Sequence, residues 1–506
     1  MSQIIDILLT DLRSLIADLG KDGGLISPSV YDTAQLLRFC PPEEGVEPAL
    51  EWILAQQQAD GGWGNPAVPL SRHMPTLASV LTLHTYKNNS KAMHNAAQAG
   101  TEFLQQHAAE WYDANIDDFP IAVEVILPKL IEDAEELGLK LSKEPYANLI
   151  RLGNKKRKKI AQMQPKAGTA PTYSWEAWGT NPTTDVVDEI GSVGTSPAAT
   201  AAWIHAASRR PDLADIREKT HRYLTNASAA TRVNIPGVVP TVWPINYFDQ
   251  HYGLYALLIS GLLNHPALQK EVQSQAKSLA EALQPTGISY CPYFQTDPDC
   301  TAVALLVIQS THTKINPVIM LNQFKDDACF ITFPNELNSS ILANAHVVHA
   351  LARFDQQVDQ LRQFLCQRQL PDGRWPADKW HGSWVYSTLE AMLALTPFEH
   401  TKDMQLVCNA FLSNQHADGG WGIGRKSTSL ETAYSVLALN PLRSHGLFKE
   451  HVRNSLYRGY NFLLNNYRPF ALNEVPYWIG KELYSPYRVD HAFELSAMLA
   501  IALEDV

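Results

Sequence analysis

Apolar residues along this chain recur at helical spacing and seldom alternate. Segments such as "LEWILAQ", "MPTLASVLTLHTY", "LRQFLCQ" and "STSLETAYSVLALNP" have the length and period of helices with a buried face, and strand-like alternation is scarce. The N-terminal "MSQIIDILLTDLRSLIADLG" keeps the helical spacing but contains Asp6, Asp11 and Arg13, so it reads as an amphipathic helix and not as a signal peptide. No run approaches the roughly 20 apolar residues that a spanning helix needs. Helical stretches end three times in the same way: "QQQADGGWGNP" from Gln56, "QRQLPDGRW" from Gln367 and "NQHADGGWG" from Asn414. Each gives glutamine, an Asp-Gly turn and tryptophan. Glycine supplies the positive φ of such a turn, and tryptophan is large enough to fix one helix against the next. Self-similarity of this kind predicts helix hairpins stacked about a common axis, an all-α architecture.

The pattern breaks at "TNASAATRVNIPGVVPTVWP", residues 225–244, where small residues and proline separate two helical regions. With 506 residues there is material for two or more cores, and the break reads as a crossing between domains. Apolar residues make up 45% and charged residues 18%, an ordinary globular balance. The net charge of −11 is spread out and argues against nucleic acid as a partner, with one local exception, the cationic run Lys155–Lys159. Six cysteines lie scattered, without CxxC or zinc spacing, as expected for free thiols in a reducing cytosol. The expectation is therefore a soluble cytoplasmic protein.

Candidate chemistry centres on "YFQTDPDCTAVALLVI", where Asp297 and Asp299 stand at the mouth of an apolar helical run. Three readings of the pair are open. It can be an ordinary helix N-terminus, where carboxylates face the positive end of the dipole. It can be a metal-binding DxD, although no histidine or further acid stands close in sequence. Or it can be a buried Brønsted acid: burial and a neighbouring carboxylate both raise a carboxyl pKa, so such a pair can keep a proton near neutral pH and still release it. An acid that protonates an alkene also needs unreactive surroundings for the cation, which aromatic faces provide at roughly 0.5–2 kcal/mol each. Trp243, Tyr247, Tyr290, Tyr293, Phe333, Trp380, Trp384 and Tyr386 are candidates; each also suits plain core packing.

Taken in order, several motifs resemble the class II (protonation-initiated) terpene cyclases of bacterial and plant diterpene type. "SVYDTA" (Ser29–Ala34) is similar to the family's SAYDTA, with Gln35 in place of the usual tryptophan, and "DPDCTA" (Asp297–Ala302) resembles DxDDTA. "PTVWPINYFD", "FKDDACF", "DKWHGSWVYST" and "WIGKELY" follow in family order, so the resemblance covers nearly the whole chain.

The resemblance implies two α/α barrels, termed β and γ, with the γ domain inserted after the first β helix. Residues 1–22 would be that helix, 23–225 the γ domain and 226–506 the β domain. It implies that Asp299 donates the proton, that Asp297 tunes it, and that Asn344 hydrogen-bonds the acid. Cys300 stands where the family usually has a further aspartate. Lys379 and Lys159 match lysines that bind a substrate diphosphate, and the family's magnesium site is reduced to Asp113, Asp117 and Asp118, so Mg2+ would accompany the diphosphate. No Asp-Asp-x-x-Asp cluster occurs, so the diphosphate should survive in the product and pass to a downstream class I synthase or phosphatase.

Tyr173 and Thr241 occupy the positions where family members making ent-copalyl diphosphate seat a water with His and Asn. Their exchange implies hydride and methyl shifts before the last deprotonation, giving a halimadienyl- or kolavenyl-type diphosphate from geranylgeranyl diphosphate. Three rivals remain: an unrearranged copalyl diphosphate synthase, a cyclase of an uncharged polyprenyl chain, which the lysines oppose, and a non-catalytic barrel module, which the acid motif opposes.

Overall fold

A computed structural model describes residues 2–86, 90–311, 321–326, 329–354, 358–398, 401–443, 449–468 and 475–504. Asp327 of the "FKDDACF" motif lies outside them. The helices begin with α1 (Ser2–Asp18), α2 (Val30–Phe39), α3 (Glu47–Ala55), α4 (His73–Thr85) and α5 (Lys91–His107). They continue with α6 (Val123–Glu136), α7 (Ala147–Met163), α8 (Pro197–Ala207) and α9 (Ala214–Ala230). A second set comprises α10 (Asn246–Ile259), α11 (Gln269–Ala282), α12 (Pro298–Ser310), α13 (Ile341–Arg353) and α14 (Asp359–Cys366). It ends with α15 (Trp384–Leu395), α16 (Thr401–Ser413), α17 (Ser429–Leu442), α18 (Lys449–Asn466) and α19 (Tyr487–Ala502). Among the described residues the strands are two short antiparallel pairs, β1 (Lys325–Asp326) with β2 (Cys329–Phe330) and β3 (Trp478–Ile479) with β4 (Leu483–Tyr484).

Two rings organise these helices. α2, α4 and α6 touch in order, the 3-10 segment Ala170–Ala177 follows, and α8 closes back on α2. α10, α12, α13, α15, α17 and α19 form the second ring, α19 returning to α10. Inner helices are buried along almost their whole length, as Ala302–Ile308 of α12 are, which explains their unbroken apolar runs. Outer helices pack against them, α1 against α19 of the second ring and against its outer neighbour α11.

Each ring has its own hydrophobic core. One core draws on Val30 to Val239; the other draws on Ile5 to Ile26 and Ala230 to Ala502. The chain thus starts in the second core, leaves it between Ile26 and Val30, and returns over 230–242. Among the described residues, no helix is long and apolar enough to cross a membrane.

The glutamine–turn–tryptophan repeats show how sequence sets this geometry. The indole N–H groups of Trp63, Trp375 and Trp421 donate to the carbonyls of Ile53, Leu365 and Phe411 at 2.7, 2.8 and 2.8 Å, tying each turn to the helix before it. Gln57, Gln369 and Gln415 donate across the same turns to Gly61, Gly373 and Gly419. Gly373 has φ +92°, and a Cβ there would lie 2.5 Å from the carbonyl carbon of Leu406, so both conformation and space demand glycine.

Candidate active site

Helix α12 presents the acids. Asp297 is its N-cap, its carboxylate accepting the Cys300 N–H at 2.8 Å, and Pro298 opens the first turn. Asp299 follows inside that turn, at the positive end of the helix. The plain helix-start reading therefore describes Asp297, and does not account for what surrounds Asp299.

Three other helices of the second ring converge on Asp299. Tyr252 of α10 donates its hydroxyl to Oδ2 at 3.0 Å, and Nδ1 of His346 on α13 lies 2.5 Å from Oδ1. The other ring nitrogen of His346 lies 3.2 Å from Glu390 on α15, which in turn accepts the Tyr255 hydroxyl at 2.5 Å. Burial alone would lower the His346 pKa, but the charge of Asp299, when ionised, and that of Glu390 override it and push it up to about 10, so the ring is an imidazolium facing the carboxylate that Asp299 becomes. Burial, and then the charge of Asp299, push Asp297 up to about 7. Burial with the two aspartates holds the Cys300 thiol well above its usual range, so this residue stays neutral.

The expected partner of the acid, Asn344, is bonded elsewhere. Its amide donates to the carbonyls of Phe330 and Ser340 at 3.0 and 2.7 Å and accepts the Phe330 N–H at 2.8 Å, fastening β2 to α13. Asn344 and His346 are two residues apart, about 200° around the helix, so the two face opposite ways. The sequence signal that would have found the histidine is spacing: His346 and His349 on α13, and Tyr252 and Tyr255 on α10, each three residues apart in otherwise apolar helices.

Asp297, Asp299 and Cys300 open onto a cavity between the two rings, with about 1460 Å³ free of protein atoms, its open mouth included. Of the expected aromatic residues, Tyr173, Tyr290, Phe333 and Trp380 line it, joined by Phe119, Phe248, Phe294, Trp478 and Tyr484, which sequence reasoning missed. Trp243, Tyr247, Tyr293, Trp384 and Tyr386 are not part of its wall. Tyr386 packs among His381, Tyr434 and Trp478, and Trp243 packs on Tyr223. Thr241 is fully buried behind the wall, 3.2 Å from the Tyr173 hydroxyl.

At the mouth, Lys379 donates to the Asn338 carbonyl at 2.7 Å and pairs with Glu336 at 2.9 Å. The cation that reaches the cavity from the Lys155–Lys159 run is Lys156, paired with Glu124, and not Lys159, whose amine donates to Asn335 at 3.2 Å on the exposed side. Lys156 stands on the face of its helix that carries buried Gly153 and Ile160, three residues before it and four after it. A second cleft shares Lys379, Pro120 and Ile479 with the cavity and is lined by Glu110, Asp113, Asn115 and Asp118; Asp117 does not line it. Glu110 is engaged by His107 at 2.6 Å, and Asp378, which also lines the cleft, accepts from the Ser340 hydroxyl and the Ile341 N–H, which leaves Asp113 and Asp118 facing the cleft. Among the described residues no three His, Cys, Asp or Glu side chains cluster to hold a metal ion.

A carboxyl backed by an imidazolium and aimed into a ring-lined chamber is what a cyclase that begins by protonating an alkene requires. A family model described as the squalene-hopene cyclase C-terminal domain matches residues 323–468. The whole chain is 42% identical to the whole of (+)-kolavenyl diphosphate synthase from Herpetosiphon aurantiacus. Ent-copalyl diphosphate synthase from a Streptomyces species is 30% identical, over 94% of this chain and 93% of that one. The solved structure of ent-copalyl diphosphate synthase from Streptomyces platensis superposes with a TM-score of 0.80 at 29% identity, covering 97% of this chain and 99% of that one. The fold and the site define a terpene cyclase. More narrowly, the chain belongs to the class II diterpene cyclases, isomerase-type enzymes built as α-helical barrels.

Proposed function

We propose that this protein protonates the terminal alkene of geranylgeranyl diphosphate from Asp299, closes a decalin, and allows 1,2-shifts before deprotonation, releasing a kolavenyl-type diphosphate. The observation that carries the reading is the 2.5 Å contact between Asp299 and the His346 imidazolium at the wall of the cavity. When the proton leaves, His346 and Tyr252 already point at the carboxylate that remains, so no reorganisation is needed at that moment. Asp297, holding a proton near neutral pH, keeps a second negative charge away. The nine aromatic side chains of the wall then face the cation.

Lys379 and Lys156 would take the diphosphate, which supports a charged substrate over an uncharged polyprenyl chain. Asp113 and Asp118, two oxygen donors in a cleft that shares Lys379, fit a partly hydrated Mg2+. Such an ion would neutralise diphosphate charge. The rearranged skeleton is supported by the 42% relative and by Tyr173 at the wall, with Thr241 buried behind it. We place the enzyme in the cytosol, with its product, diphosphate intact, passing to a class I synthase or a phosphatase.

The test is incubation with geranylgeranyl diphosphate and structure determination of the product by mass spectrometry and NMR. Asp299→Asn should lower turnover by about 10³-fold or more. Unaltered turnover in that variant would remove Asp299 from the mechanism, and unrearranged copalyl diphosphate from the native protein would refute the 1,2-shifts.

A further inference from the structure

A cation confined in this cavity ends its life at the first base or water it meets, so the product depends on what the wall hides as much as on what it shows. Two wall tyrosines turn their hydroxyls into the protein: Tyr290 to Thr195 at 2.6 Å, and Tyr173 to Thr241 at 3.2 Å. The Tyr173 hydroxyl is engaged twice over. It donates to Thr241, and it accepts the backbone N–H of Lys481 at 3.3 Å, an N–H that also reaches the Thr241 hydroxyl at 3.2 Å.

That backbone belongs to the turn joining β3 to β4, and two features hold it in place. Gly480 has no side chain where one would collide: a Cβ there would sit 2.9 Å from the Tyr173 hydroxyl and 2.9 Å from Thr241 Cγ2. Lys481 is fully buried and drives its ammonium across to the other core, donating to Glu176 and to Ser196 at 2.6 Å each, with Asp32 at 4.0 Å. The same ammonium lies 4.7 Å from the Tyr173 ring centroid. A lysine with no solvent exposure is costly unless its partners are fixed, so the peg holds the turn rigidly.

We propose that Lys481, together with Gly480, is a specificity-determining positioning residue: it seals the Tyr173 and Thr241 hydroxyls so that this side of the cavity presents a ring and no free hydroxyl. Lys481 touches no reacting atom and acts through Tyr173. The inference rests on the rearrangement reading above, since a sealed wall matters only to a cation that lives long enough to shift.

The experiment compares the native chain with Lys481→Met and Gly480→Ala, measuring both total turnover of geranylgeranyl diphosphate and the product ratio by NMR. Unsealing should move at least a tenth of the product to unrearranged or hydroxylated diphosphates in each variant, with the KM for geranylgeranyl diphosphate within about threefold of the native value. A merely structural role would lower turnover and leave the ratio untouched, and that result overturns the proposal. If Lys481→Met does not fold, Gly480→Ala alone carries the test, because it displaces the hydroxyls without removing the buried charge. Native product that is itself unrearranged would instead refute the rearrangement reading, so the two failures are distinguishable.

Discussion

The identity of the group behind the acid decides what pH should do. An amide such as Asn344 would titrate nowhere, whereas His346 and Asp297 both do. Asp297 is held at about 7, so it loses its proton as pH rises through that value and a new charge appears at the lip of the cavity, and kcat should fall there. His346, held at about 10, keeps its charge throughout the neutral range and contributes no second fall near 7. Initial rates at saturating substrate across neutral pH would show one descending limb; a rate that climbs steadily above 7 would contradict a role for the Asp297 proton. His346→Gln keeps a donor but removes the charge and should cost about 10²-fold in kcat. The acid pair itself was legible because two carboxylates at the start of an apolar run are chemically odd. The histidine was legible only as a spacing, His346 with His349, and that spacing equally suits core packing; only the crossing of α10, α12, α13 and α15 makes it a partner.

Elements were the most legible scale, since each follows from spacing alone. The repeated glutamine–turn–tryptophan fixed where helices end, and the structure shows why it recurs: one residue type supplies each bond of the turn. Gly373→Ala tests this directly. Its strained φ and its clash with Leu406 should cost about 1 kcal/mol or more of stability, read as a lowered denaturation midpoint with no change in product ratio. A midpoint equal to the native one would show that the turn relaxes freely. Less legible was the cavity wall. Phe119, Phe248, Phe294, Trp478 and Tyr484 come from both cores and from the β3–β4 hairpin, and no local pattern distinguishes a ring facing a cavity from a ring facing a core.

At the scale of the whole molecule, the two cores are joined through buried acids. Ser29 and the Tyr31 N–H from the first core bond the carboxylate of Glu482 from the second at 3.0 and 2.8 Å. Burial raises both Asp32 and Glu482 to about 7. A carboxyl whose pKa is higher folded than unfolded favours the folded state below its unfolded value near 4, and that contribution is lost as pH climbs through the folded value. Thermal midpoints should therefore decline as pH is raised from about 5 past 7. Glu482→Gln, which keeps the neutral shape, should flatten that decline, and a decline of native steepness in this variant would move its origin elsewhere. The existence of two helical units was legible from the proline-rich break at 225–244; that ionisable groups stitch them together was not, since Tyr31, Asp32, Lys481 and Glu482 are some 450 positions apart in sequence.

The pairing of Lys379 with Glu336 and of Lys156 with Glu124 carries a consequence for traffic through the mouth. Both cations arrive already satisfied, so on the proposed reading a headgroup would not fall into an empty positive well; it would swap places with a resident carboxylate. Its affinity would then be a difference between two sets of counter-ions, which keeps it modest. A departing diphosphate would in turn be replaced by glutamates held close at the doorway.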